Sequence, residues 1–197
     1  MNSMQDPFGP GSQVEKRIIT EIAKMKKIVS SLKTLGLKIV LAQGSYDLVH
    51  IGHARYLETA KKHGNILVVG VDSDEKIRTR KGPERPVVPE GERLEMVSHL
   101  RPVDLVYLKK LKDPKWQLIK SICPDVLIAT KDTYSKKEIQ ELKTYCGKVI
   151  VLERMATTST SAKIRHLQIG TAQRLERALT PKLIKTLQEA LLGVPQE

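Results

Sequence analysis

The chain has 197 residues, with 34 Lys and Arg against 22 Asp and Glu and a formal net charge of +12 at pH 7. That length holds one α/β domain with a proper core and short extensions, and no apolar run approaches the roughly 20 residues of a membrane-spanning helix. The two cysteines, Cys123 and Cys146, lack CxxC spacing and give no disulfide or zinc framework, and Met1 to Gln13 holds no leader-like apolar stretch, so the expected location is the cytoplasm. Clustered Lys and Arg would bind nucleic acid. Here the basic residues are spread along the chain and aromatics make up only 4%, too few for stacking platforms. Neither nucleic acid nor a membrane is expected as a partner.

Residues 1–12, with Pro7, Gly9, Pro10 and Gly11 among polar neighbours, read as a disordered tail. Ile18, Ile22, Met25, Val29 and Leu32 recur at three- and four-residue spacing and predict one N-terminal helix over 13–36, ended by Gly36. The main domain is expected over 37–168. Its strands are Lys38–Ala42, Ile66–Val71, Leu105–Leu108, Val126–Ala129 and Val149–Leu152. Helices are predicted near Gly52–His63, Glu90–His99, Trp116–Ile122, Lys136–Tyr145 and Ser161–Leu167. Such alternation makes an α/β fold, a five-stranded parallel sheet with helices on both faces. Ligands on such sheets gather at the carboxyl ends of the strands. A C-terminal extension over 169–197 reads as two helices, Thr171–Ala178 and Pro181–Leu192, the second started by Thr180 and Pro181. Its apolar stripe of Leu183, Ile184, Leu187 and Leu191 packs on its own domain or on a second copy.

The first strand runs directly into Gln43-Gly44-Ser45-Tyr46-Asp47-Leu48-Val49-His50-Ile51-Gly52-His53, and a helix follows. Gly44 allows a tight turn, and Gly52 lets a phosphate approach the helix start. Two histidines three residues apart at a helix N-terminus share one side. Their N–H groups can donate to phosphate oxygens and to charge that develops during displacement. No third His, Cys or carboxylate is spaced to complete a metal site, so no protein-held metal is expected.

These residues resemble the HxGH nucleotidyltransferase (cytidylyltransferase-like) superfamily over about Lys38 to His166. Gly44 to His53 is similar to the GxFDxxHxGH segment of its phosphosugar and phosphoalcohol branch, with Tyr46 for Phe. Val71-Asp72-Ser73-Asp74 is similar to an NSD-like strand ending, and Arg78-Thr79-Arg80-Lys81-Gly82 to the lysine-containing loop behind it. Arg85-Pro86-Val87-Val88-Pro89-Glu90-Gly91-Glu92-Arg93 looks like the RPVxPxxxR stretch of heptose-phosphate adenylyltransferases. Arg154 to Ser161 is similar to the RTxGxSTS/T segment of cytidylyltransferases at its Arg, Ser, Thr and Ser positions.

The resemblance implies a Rossmann-like domain that transfers AMP or CMP from ATP or CTP to a phosphorylated sugar or small alcohol, releasing pyrophosphate. Mg²⁺ is expected with the triphosphate, held mainly by phosphates and water, and a homodimer is expected. His50, His53 and Lys81 are the implied catalytic residues. Gly44, Ser45, Tyr46, Gly52, Arg154, Ser159, Thr160 and Ser161 are the implied nucleotide-binding set. Asp47, Arg93 and Lys131 are placed on the acceptor side, Asp47 chiefly to fix the turn, and Arg80 rivals Lys81 for a phosphate. Ala129-Thr130-Lys131-Asp132-Thr133-Tyr134 departs from the Gly-Gly-Asp-Tyr-like turn of the phosphosugar relatives. A cofactor-type adenylyltransferase, or a non-catalytic nucleotide- or RNA-binding module on the same fold, is the alternative. Class I aminoacyl-tRNA synthetases share His50-Ile51-Gly52-His53, but a KMSKS-like loop is missing.

Overall fold

The computed structural model describes residues 14–131, 133–153, 155 and 160–192. Its strands are β1 (Ile18–Ile19), β2 (Ile39–Gly44), β3 (Ile66–Asp72), β4 (Leu105–Lys109), β5 (Val126–Thr130) and β6 (Lys148–Leu152). They form one parallel sheet in the order β1-β4-β3-β2-β5-β6. The helices are α1 (Val14–Arg17), α2 (Ile22–Thr34), α3 (Ile51–Lys61), α4 (Asp74–Lys81), α5 (Glu90–His99), α6 (Gln117–Ile122), α7 (Lys136–Leu142) and α8 (Thr160–Leu192).

Both faces of the sheet are covered, which is why its central strands read as unbroken apolar runs. In β2, Val40 and Ala42 join a core with Leu57, Val69 and Val97, while Ile39 and Leu41 join one with Met25, Val29, Ile119 and Leu127. All seven residues of β3 are buried.

Three sequence readings change. The sheet has six strands rather than five, because Ile18–Ile19 interrupts the predicted N-terminal helix and pairs with Val106 and Tyr107 of β4. Two residues are too few to show a period of two, so the helical pattern around them hid the strand. The segment before Gly82 is a helix, not a loop. Ser73 caps α4 by accepting from the Lys76 N–H at 3.3 Å, Asp74 and Glu75 fill its first turn, and Arg78, Arg80 and Lys81 fill its last, charges that complement the helix dipole. Finally, the predicted helices after Ser161 are one 33-residue helix, α8, with Pro181 inside it. Strong helix formers on either side carry the chain through Gly170 and Pro181, so the expected limit at residue 168 falls within a helix. Contacts divide the chain into Met1–Thr157 and Thr158–Glu197, and α8 belongs to the second unit. Among the described residues no helix is long and apolar enough to cross a membrane.

Candidate active site

The chain leaves β2 towards β3 and β4 on one side, then returns to β5 on the other. Strand order therefore reverses at β2, the position where parallel α/β sheets open a crevice. Residues 45–50 and the start of α3 occupy that place. A Cβ on Gly44 would lie 3.1 Å from the Tyr46 ring, so glycine lets this ring fold back over the strand end. Tyr46 and Leu48 hold φ values of 51° and 50°, a conformation that costs non-glycine residues on the order of 1 kcal/mol or more each.

Asp47, between them, supplies the restraint. Its buried carboxylate accepts from the Val88 N–H at 3.0 Å, the Val87 N–H at 3.1 Å and the Arg85 Nε–H at 2.7 Å. Burial pushes its pKa up, but the Val88 and Val87 amides and the Arg85 guanidinium more than reverse this and hold it below 3.8. Asp47 is thus spent on the turn rather than held towards an acceptor.

The turn delivers His50 as the N-cap of α3. Its Nδ1 accepts from the Gly52 N–H at 3.1 Å, and the Nδ1 of His53 accepts from the His50 N–H at 3.3 Å. A neutral ring whose Nδ1 accepts carries its proton on Nε2. Both imidazoles are therefore set as Nε2–H donors, with ring centroids 4.2 Å apart. His53 also lies 5.5 Å from the Tyr46 ring. The helix start adds partial positive charge at the same point.

Cations surround the strand ends, but they divide into two kinds. Arg93 of α5 is fully buried. It donates to the Val88, Ser45 and Asp72 carbonyls at 2.9, 2.6 and 2.8 Å and to Asp74 at 2.8 Å. With its side chain 0% exposed, the expected acceptor contact is corrected to a positioning role. Arg80 is the opposite case: 54% exposed, it donates through Nη2 to Ser45 Oγ and to Asp72 Oδ2, both at 2.9 Å. Lys109, at the end of β4, holds the other Asp72 oxygen at 3.0 Å. Lys81 ends α4 on the surface, and its pKa is lowered by partial burial of the amine and by the nearby Arg80 and Arg85 charges.

Ser45, Tyr46, His50, Gly52, His53 and Lys81 thus gather around the end of β2. Lys131 lies just past β5 and forms an exposed ion pair with Glu153 at 2.6 Å. Arg154 and Ser159 lie outside the described residues, and Thr160 and Ser161 open α8 in the other unit. Sequence reasoning missed Lys109 and gave Asp72 and Arg85 no role. A polar residue ending a buried strand was the available signal for Asp72 and Lys109. Among the described residues no group of three His, Cys, Asp or Glu could hold a metal ion, and Asp47 and Asp72 are already ion-paired.

The sheet order and the histidine-capped helix define a nucleotide-binding α/β domain of the HxGH type. Residues 41–179 match the cytidylyltransferase-like family, and the chain belongs to that family of nucleotidyltransferases. It is 33% identical over 157 residues to the bifunctional protein HldE of Gluconobacter oxydans, covering 78% of this chain and 32% of that protein. The HldE of Helicobacter hepaticus is 35% identical over 158 residues, 80% of this chain and 32% of the relative. The chain thus spans about a third of the length of these relatives. Among solved structures, the lipopolysaccharide core biosynthesis protein of Thermoplasma volcanium matches with a TM-score of 0.51 and 28% identity, over 63% of this chain and all of that one. A pantoate-beta-alanine ligase from Francisella tularensis matches with a TM-score of 0.54 at 16% identity, over 73% of this chain and 68% of its own, which shows the fold alone.

Proposed function

We infer that this chain transfers AMP or CMP from a nucleoside triphosphate to a sugar phosphate, releasing pyrophosphate. The observation that carries the reading is the reciprocal cap of His50 and His53, which fixes two adjacent Nε2–H donors at a helix start. An oxygen of the acceptor phosphate attacks the α-phosphorus in line. A new P–O bond forms as the bond to the β-phosphate oxygen breaks, and both electrons leave with pyrophosphate. Charge on the non-bridging and leaving oxygens then meets the imidazole N–H groups, donors already in place before the reaction, and the partial positive charge of the α3 start. Lys81 supplies a further cation, and an arriving polyanion would favour its charged form against the burial, and the Arg80 and Arg85 charges, that lower its pKa. Mg²⁺, carried on the triphosphate, would neutralise part of the phosphate charge.

The test is pyrophosphate release from ATP or CTP with a panel of sugar phosphates. Turnover with at least one pair is expected, and His50→Ala should lower it by roughly 100-fold. A folded protein that neither binds a nucleotide nor releases pyrophosphate from any pair would sink the reading.

A further inference from the structure

Cys123 and Cys146 stand far apart in the sequence, and the fold sets them side by side. The β5–β6 ladder, in register at Val126 and Lys148, continues backwards from that pair. The Lys148 N–H donates to the Asp125 carbonyl at 2.9 Å and the Gly147 N–H to the Pro124 carbonyl at 3.1 Å. Cys146 and Cys123 are the residues immediately before Gly147 and Pro124. Neighbouring strands lie about 4.8 Å apart, inside the roughly 4.4–6.8 Å that separates the Cα atoms of a disulfide.

The two side chains also share one face of the sheet. Cys146 is buried in the core that includes Ile119 and Ile122 of α6 and Leu142 of α7. Cys123 ends α6 and turns its Sγ back on that helix, donating to the Lys120 carbonyl at 3.3 Å. The same Lys120 lays its ammonium 5.1 Å from the Tyr145 ring, next to Cys146. Lys33 of α2 donates to the Cys123 carbonyl. Access differs between the two thiols. Cys123 is exposed, whereas burial, and after it the nearby Cys123, push the Cys146 thiol up to about 11 against the opposing charge of Lys33. A dissolved oxidant therefore meets Cys123 first. Cys123 also holds φ at 44°, at a helix end where glycine is the usual residue, so the chain bears backbone strain to keep a side chain there.

We propose that Cys123 and Cys146 form a redox pair, in which Cys123 takes up a thiol from a low-molecular-weight disulfide and Cys146 resolves the adduct to an internal disulfide. With glutathione disulfide as the oxidant, the Cys123 thiolate attacks one of its sulfurs. The bond from Cys123 to glutathione forms, the old S–S bond breaks, and one glutathione leaves as its thiolate. Cys146 then gives its proton to water and attacks Cys123 Sγ. The internal bond forms and the second glutathione leaves. Two cysteine thiols are oxidised and one glutathione disulfide is reduced to two thiols. The bridge lies at the amino ends of β5 and β6, opposite the histidines, and pins the base of a stretch that carries β5, Lys131 and α7. It is independent of what the chain transfers.

Intact-mass spectrometry of the full chain under non-reducing conditions, during incubation with glutathione disulfide, tests this. The expected course is a transient adduct of a single glutathione, then a monomer two hydrogen atoms lighter than the reduced chain. Digestion should yield the peptide pair joined through Cys123 and Cys146. Cys146→Ala should stop at the adduct, and Cys123→Ser, a surface change, should stay unmodified. The bridged chain should unfold at a midpoint raised by roughly 5 °C or more, returning to the starting value with dithiothreitol. The proposal is overturned by a folded parent that stays unmodified, that keeps its adduct without closing, or that links only to other chains through Cys123. Closure seen only in urea strong enough to unfold the chain overturns it equally.

Discussion

Two regions at the carboxyl end of the same sheet use arginine in opposite ways. In the 85–93 segment, Arg85 and Arg93 are buried and donate to Asp47, Asp74 and three backbone carbonyls, those of Ser45, Asp72 and Val88. In the 80–81 segment, Arg80 and Lys81 reach the surface beside Ser45, with few protein partners. The first set holds the turn that carries the histidines, and the second stays exposed, with Arg80 bonded to Ser45 and Asp72. A burial difference, invisible in residue type, separates the two sets.

The sharpest way to break that comparison is to truncate one arginine of each kind. Arg93→Ala leaves three carbonyls and Asp74 without their donor, and should cost on the order of 3–5 kcal/mol in urea unfolding; Arg80→Ala should cost about 1 kcal/mol or less. Equal losses would erase the distinction. Next in size is His53→Ala, expected to reduce kcat roughly 100-fold, close to 2.7 kcal/mol of barrier, with a smaller change in unfolding free energy.

Acid should select the scaffold first. For Asp47, burial raises the pKa but the Val88 and Val87 amides and Arg85 bring it below 3.8; for Asp72, burial is outweighed by Lys109 and Arg80. A carboxyl with a lower pKa folded than unfolded stabilises the fold above its unfolded value, and that contribution disappears as pH falls through the folded value. Stability should therefore fall from about pH 5 downwards, beginning near the unfolded carboxyl pKa of roughly 4. Asp47→Asn should start lower and show a shallower slope over the same range. Smaller still is Tyr46→Phe. The Tyr46 hydroxyl is buried with no hydrogen-bond partner among the described residues, and burial raises its pKa well above 10, so removing it should change stability by less than about 1 kcal/mol, in the favourable direction. Lys131→Ala, which breaks only an exposed pair with Glu153, should be within about 0.5 kcal/mol of the parent.

The strands from β2 to β5 were legible because they are mostly buried and spelled largely in Val, Ile and Leu, and the half-exposed β6 because it too is a Val and Ile run. What hydropathy shortened was their carboxyl ends. Gly44, Asp72, Lys109 and Thr130 each extend a strand beyond its apolar run, and those polar ends are where the site begins. The histidine pair could be read from its local setting, since a cap and its helix are adjacent in sequence. Arg93 could not. Its partners lie 5 to 48 residues away, and only the folded chain shows whether a helical arginine faces water or a nest of carbonyls. The 74–81 helix was missed for a similar reason: it buries only Ile77, so capping and end charges, rather than an apolar face, define it.

β1 pairs through only two residues, Ile18 and Ile19, yet it occupies the flank of β4. A shortened version beginning at Lys38 would strip that flank and leave the backbone N–H and C=O groups of alternate β4 residues facing solvent next to a large apolar surface once covered by Met25 and Val29. Such a bare ladder recruits strands from other molecules. Trimming the chain to its catalytic-looking centre would therefore leave a molecule prone to clump, even with every residue of the site retained.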